Sequence, residues 1–291
     1  MAHLTEMLAA GPIVLDGGLG TLLESRGHDL SSSLWSARLL AEQPDEVRAA
    51  HAEFAAAGAQ VATTASYQVS YDGLGAAGFD DAGVDALLQR SIRLAREAGA
   101  PLVAASVGPF GAARADGSEY TGDYGVGVAE LRAWHRRRLH VLADAGPDLL
   151  AVETVPSPAE VEAMCAEIEG LGVPVWVSLS AASTGFDADS LAAALRGAAS
   201  AEGVVAVGVN CCPPESVLSA LAEVEVDIPF VAYPNSGERW IAADRRWAGD
   251  GGAVVGLVDV WLDAGVRLVG GCCRTTPADI ADVAARVAQR R

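Results

Sequence analysis

Arg267-Leu268-Val269-Gly270-Gly271-Cys272-Cys273-Arg274-Thr275-Thr276 reads as a strand that ends in a turn and hands over to a helix. An apolar run closes in two glycines that let other backbone or a ligand approach, two adjacent cysteines follow, and Thr275-Thr276 ahead of Pro277 is a helix start. The same layout stands earlier in the chain, where Val205-Ala206-Val207-Gly208-Val209-Asn210-Cys211-Cys212 also runs from an apolar strand into thiols.

Working outward from these two, the chain holds eight such runs, each with a polar or glycine-containing end and a helical pattern behind it. They cover residues 13–18, 60–64, 101–106, 149–154, 175–180, 204–210, 230–235 and 268–273. Near-continuous apolar runs, without strict alternation, belong to strands covered on both faces, hence to a parallel sheet. Pro44 opens one intervening helix that Gly58 closes, and Pro158 opens another that Gly170 closes. Strand and helix alternating eight times predict an α/β fold, a closed (β/α)8 TIM barrel, with residues 1–291 as one domain; a doubly wound sheet is the structural alternative. Two long connections, residues 110–127 and 236–252, follow the third and seventh strands and therefore lie on the C-terminal face, where they are lid candidates. The second carries Trp240 and Trp247, candidate cation–π partners for a ligand.

The composition narrows the function. About half the residues are apolar, enough for a large core, and 38 acidic against 20 basic residues leave a formal charge of −18. That charge argues against a nucleic-acid partner or an anionic membrane surface and favours a small molecule, a cationic one among them. No stretch approaches the roughly 20 apolar residues of a membrane span, and the start lacks a basic leader segment, which points to the cytoplasm. Five cysteines, four of them in two adjacent pairs, suit metal or redox chemistry better than a disulfide framework.

A barrel brings its strand ends to one face: Asp16, Thr64, Ser106, Glu153, Ser180, Asn210 with Cys211, Asn235, and Cys272 with Cys273. Three thiols there are strong ligands for Zn2+ and leave the fourth tetrahedral position open, the mark of a catalytic site. Neighbouring residues in a strand point to opposite faces, so Cys272 and Cys273 reach one ion only if the strand end bends. Buried thiols or a redox pair are the other reading of the two. Cys165, in a helical stretch, reads as a core residue, and Cys212 borders the site ahead of Pro213 and Pro214. A structural role for the two carboxylates, capping loops and helices, is the other reading, and the five histidines, none at a strand end, read as solvent-facing or capping residues.

At this point the motifs resemble a known family. Asp16-Gly17-Gly18-Leu19-Gly20-Thr21, Thr63-Thr64-Ala65-Ser66-Tyr67-Gln68, Glu153-Thr154-Val155-Pro156, Gly208-Val209-Asn210-Cys211-Cys212, Tyr233-Pro234-Asn235-Ser236-Gly237-Glu238 and Gly270-Gly271-Cys272-Cys273 are similar, in order, to the motifs of zinc-dependent homocysteine S-methyltransferases, from about residue 11 to 285. The resemblance implies that Cys211, Cys272 and Cys273 bind zinc, that Asp16 and Glu153 hold the amino group of homocysteine, and that Gly17 and Thr64 neighbour its carboxylate. The strand-end amides Asn210 and Asn235 complete the expected substrate site, and Cys212 stays outside the ligand set. The chain has no room for folate and cobalamin domains and stops soon after the eighth unit, so the expected donor is a sulfonium, S-methylmethionine or S-adenosylmethionine, with methionine as product. A selenocysteine methyltransferase on the same scaffold, or a non-catalytic zinc or thiol redox module, is the alternative, and oligomeric state is left open.

Overall fold

The computed structural model describes residues 2–28, 35–114, 116–241, 246–249 and 251–290. Its strands are β1 (Ile13–Val14), β2 (Val61–Thr63), β3 (Leu102–Val107), β4 (Leu149–Val155), β5 (Val175–Leu179), β6 (Val204–Asn210), β7 (Phe230–Tyr233), β8 (Arg239–Ile241), β9 (Arg246–Ala248) and β10 (Val266–Val269). Eight of them form one sheet in the order β1-β10-β7-β6-β5-β4-β3-β2, every pair parallel, and a parallel bridge between Leu15 and Val61 joins its two ends. The sheet is therefore a closed barrel, and all eight expected strands are in it. Strands β8 and β9 make a separate antiparallel hairpin inside the long connection after β7. The side chains of Trp240 and Trp247, named above as cation–π candidates, lie outside the described set.

Within each strand the side chains alternate between two apolar clusters. Ile13, Leu15, Val61, Leu102, Ala104, Leu149, Ala151, Trp176, Ala206, Val231 and Leu268 fill the inside of the barrel. Their neighbours in sequence, among them Val14, Ala62, Val103, Ala105, Leu150, Val152, Val177, Val207 and Val269, pack outward against the helices. Carrying that period of two toward the C-terminal ends turns Ser106, Glu153, Ser178 and Asn210 inward, all of them buried. The barrel is thus apolar in its lower layers and polar at its mouth. Trp176 and Tyr233 mark the boundary: the indole NH of Trp176 donates to the Tyr233 hydroxyl at 3.0 Å.

The helices follow their punctuation. Helix Pro44–Ala56 stops before Gly58 and helix Pro158–Ile168 before Gly170. Thr276 caps helix Pro277–Ala288 in a reciprocal box, its hydroxyl accepting from Asp279 N at 3.3 Å while the Asp279 carboxylate accepts from Thr276 N at 2.8 Å. Helix Ala2–Ala10, which the sequence reading did not assign, plugs the opposite end of the barrel with Leu4, Met7 and Leu8. None of the described helices is long and apolar enough to cross a membrane.

Trp176 is completely buried inside the barrel with its only polar atom satisfied. Replacing it by alanine is expected to cost about 3–5 kcal/mol in urea unfolding, whereas Cys165→Ala, at a half-buried helical position, should cost far less.

Candidate metal and substrate site

Strand β10 ends at Val269, so neither cysteine of the pair belongs to the pleated strand. The chain instead turns across the mouth of the barrel, with Gly271 N donating to Asp16 O at 3.1 Å, Cys272 N to Pro234 O at 2.7 Å, and Cys273 N to the Asn235 side-chain carbonyl at 3.2 Å. The glycines serve close approach: a Cβ on Gly270 would stand 2.7 Å from Asp16 O, and one on Gly271 2.2 Å from the Thr275 methyl. The left-handed residues that let the chain bend are Arg274 here and Cys211 at the end of β6, with φ of 65° and 48°.

This bend brings the sulfurs of Cys211, Cys272 and Cys273 within 4.8 Å of one another, with Cys211 and Cys273 at 3.9 Å. Two thiolates on one tetrahedral ion with bonds of about 2.3 Å stand about 3.8 Å apart, so the triad fits a single metal ion with little movement. Hydrogen bonds from Cys272 and Cys273, and then from Tyr120 and Asn235, hold the Cys211 thiol well below its usual pKa, while donating to it holds the other two above theirs. Cys212 faces the other way, into the core between sheet and helices, where burial pushes its thiol up to about 12. Cys165 packs against the same core, and burial raises it to about 11.

Two carboxylates stand beside the thiols. Asp16 accepts from Thr63 N at 2.7 Å, and Glu153 accepts a hydrogen bond from the Ser106 hydroxyl and a further one from Tyr233. Burial raises both to about 7; each repels negative charge nearby, Asp16 through Glu153 and Glu153 through Cys211. Neither has an ion-pair partner among the described residues. Two carboxylates raised by burial, without a cation, suit a ligand that brings a positive charge.

The other expected site residues gather at the same mouth with different tasks. The Thr64 hydroxyl shares a hydrogen bond with Ser66 at 2.7 Å and accepts from Ser106 N at 3.0 Å. The Asn210 amide is turned to the neighbouring strands: its oxygen accepts from Thr154 N at 2.8 Å and the Ser178 hydroxyl at 2.9 Å, and its nitrogen donates to the Thr154 hydroxyl at 2.7 Å. It thereby holds Thr154, left-handed at φ 59°, directly after Glu153. Asn235 ties down the Cys273 turn, and Gly17 packs against Thr275 O and the Phe54 ring.

Residues outside the expected set also reach the site. Tyr120, on the long loop after β3, brings its hydroxyl to 3.4 Å from the Cys211 sulfur, and Tyr67 and Tyr233 lie near Glu153. The length of the loop and its position after a strand pointed to a lid, but nothing in the sequence told which of its side chains turns inward. The histidine reading needs correction: His51 and His135 are buried, not solvent-facing. His135 is held there by Glu160 at 2.8 Å and by Arg138 at 3.2 Å, a polar network that helical periodicity does not reveal.

The comparisons with known proteins agree with this geometry. A family model described as homocysteine S-methyltransferase matches residues 13–287. The chain is 43% identical to the homocysteine S-methyltransferase of Escherichia coli strain K12 over 94% of each protein. It is 38% identical to the selenocysteine Se-methyltransferase of Brassica oleracea var. italica, over 97% of this chain and 90% of that one. The metallated form of the homocysteine methyltransferase MmuM from Escherichia coli superposes with a TM-score of 0.81 at 41% identity, over 95% of this chain and 96% of that structure. The chain belongs to the homocysteine S-methyltransferase family.

Proposed function

We propose that the chain is a cytoplasmic enzyme that transfers a methyl group from a sulfonium donor, S-methylmethionine or S-adenosylmethionine, to the thiol of L-homocysteine, giving methionine. Residues 1–291 act as one homocysteine-binding barrel, and Cys211, Cys272 and Cys273 hold Zn2+. The observation that supports this best is the three-sulfur cluster within 4.8 Å standing beside two buried carboxylates that have no ion-pair partner among the described residues.

The chemistry divides between the metal and the chain. Bound zinc supplies the Lewis acidity that lets a fourth thiol ionise near neutral pH. Asp16 and Glu153 bind the ammonium of homocysteine, whose charge offsets the cost of keeping both carboxylates ionised, while Thr64 and Gly17 flank its carboxylate. Asn210 orients Glu153 through Thr154, and Asn235 orients Cys273. The thiol proton leaves to solvent, the sulfur attacks the methyl carbon, and the donor's carbon–sulfur bond breaks with its electron pair on a neutral thioether. Such a leaving group needs no general acid, in keeping with strand ends that hold no histidine. A free thiol of pKa about 8.5 is a few per cent ionised at pH 7, so full ionisation contributes roughly 30-fold, about 2 kcal/mol. Holding sulfur and methyl in line contributes roughly 7–11 kcal/mol. Positioning therefore outweighs ionisation, and the carboxylates that fix the substrate matter more than their distance from the reacting atoms suggests. A selenol acceptor is a second reading, supported by the selenocysteine relative, and uses the same residues.

The purified, zinc-loaded protein is expected to form methionine from homocysteine and S-methylmethionine, and C272S and C273S are expected to lose both zinc and turnover; a zinc-loaded protein that uses neither sulfonium contradicts the reading. For Glu153→Gln the expectation is a homocysteine KM raised by about ten- to a hundredfold with zinc retained near one per chain; loss of zinc would instead make Glu153 a support of the metal site. Since both carboxylates titrate near 7, they are neutral below that pH. The homocysteine KM should thus rise as pH falls through about 7, and a KM flat between pH 6 and 8 would contradict the ammonium contact.

A further inference from the structure

The loop between β3 and helix Val128–Asp144 carries a carboxylate that no task described so far employs. Glu119 sits in the 3-10 turn Ser118–Tyr120, immediately before the tyrosine whose hydroxyl is 3.4 Å from the Cys211 sulfur. Its Oε2 is buried and has no hydrogen-bond partner. The loop's one cationic residue is engaged elsewhere: Arg114 pairs with Asp116 at 3.1 Å and donates to Tyr124 O at 3.2 Å. Burial is the main influence raising the pKa of Glu119; backbone hydrogen bonds at Glu119 and Gly117 lower it, and the nearby charges that act on it, those of Cys211 and Asp116, are negative and raise it.

The turn is held in place. Ser118 N donates to Asp116 at 3.0 Å, Thr184 N to Tyr120 O at 3.0 Å, and Gly122 N to Ser118 O at 2.9 Å. On the inner side Gly111 backs directly onto it, since a Cβ there would stand 2.4 Å from Glu119 N. A carboxylate oxygen buried without a partner costs free energy, and here the backbone holds the turn in place instead of releasing that oxygen to water.

We propose that Glu119 is the counter-charge for the cationic methyl donor, meeting the sulfonium substrate on the loop side of the thiol cluster. This rests on the methyl-transfer reading above, in which the ammonium of homocysteine already has Asp16 and Glu153, so that the positive charge Glu119 awaits is that of the second substrate. Methyl transfer removes the sulfonium charge, so a contact with it stabilises the bound donor at least as much as the transition state. Its loss therefore falls in the affinity and KM for donor rather than in kcat.

The test is Glu119→Gln, which keeps the size of the side chain and breaks no hydrogen bond of Oε2, with Glu119→Asp as the charge-retaining companion and thermal melting to show that both fold. Donor affinity is measured directly by titration calorimetry of the zinc-loaded protein with S-methylmethionine, and KM and kcat are measured for both substrates. The proposal expects donor binding weakened by about ten- to a hundredfold in Glu119→Gln, homocysteine KM unchanged, and partial recovery in Glu119→Asp. A dimethylsulfonium carboxylic acid without an amino group, used as a second titrant, separates the two cations of the donor: an equal loss places Glu119 at the sulfonium, and a loss confined to S-methylmethionine places it at the donor's ammonium. Unchanged donor affinity, or a loss that falls on homocysteine, overturns the proposal even if methyl transfer is observed. If the wild type binds the sulfonium and Glu119→Gln does not, yet no methyl is transferred, the contact stands and the methyl-transfer reading fails. A wild type that binds neither titrant overturns both.

Discussion

Two backbone hydrogen bonds, Gly271 N to Asp16 O and Cys272 N to Pro234 O, draw the end of the last barrel strand between the ends of its neighbours, and the site depends on them. They extend the parallel pairing of β10 with β1 and β7 past the point where the strand stops, at the cost of two positions where no side chain fits. Because of this seam Cys272 and Cys273 lie in a turn, where both sulfurs can face one point, and Cys211 reaches the same point from β6 two strands away. The same seam sets Asp16 beside the thiols, since the carbonyl that accepts from Gly271 is its own.

The electrostatics at the mouth follow from what the barrel leaves unpaired. Its lower layers are apolar and its upper layer holds Glu153 among Ser106, Ser178, Asn210 and Tyr233, with Asp16 alongside. Every hydrogen-bonding group around these carboxylates is neutral, and burial leaves both raised to about 7. A third carboxylate, Glu119 on the long loop after β3, has a buried oxygen without a hydrogen-bond partner. Buried carboxylates without an ion-pair partner among the described residues are costly to fold around and suit ligands that bring a positively charged group. The overall charge of −18 is a surface property and adds only long-range attraction.

Much of this was legible in the sequence because it rests on local pattern. Eight apolar runs, their helix starts and their polar ends identify the barrel, and the period of two along each strand explains why Glu153 and Asn210 turn inward. The thiol triad was legible as a cysteine at one strand end and two at another, although the bend that turns both Cys272 and Cys273 to one point was not. What the sequence did not carry is contact between segments without periodicity. Asn210 was read as a substrate contact, and its bonds to Thr154 and Ser178 were not foreseen. His135 looks like a surface residue and is buried against Glu160. Tyr120 and Glu119 belong to a loop whose path is set by packing against residues 156–157 and 184–185, far away in sequence.

The central claim is that three cysteine thiolates hold one metal ion and leave its fourth position to the sulfur of homocysteine. X-ray absorption at the zinc edge, on the purified protein with and without homocysteine, tests this most directly. The account predicts three sulfur ligands at about 2.3 Å with one lighter ligand in the free protein, and four sulfurs after homocysteine is added. Four sulfurs before homocysteine is added, or a ligand shell that homocysteine does not change, would contradict it.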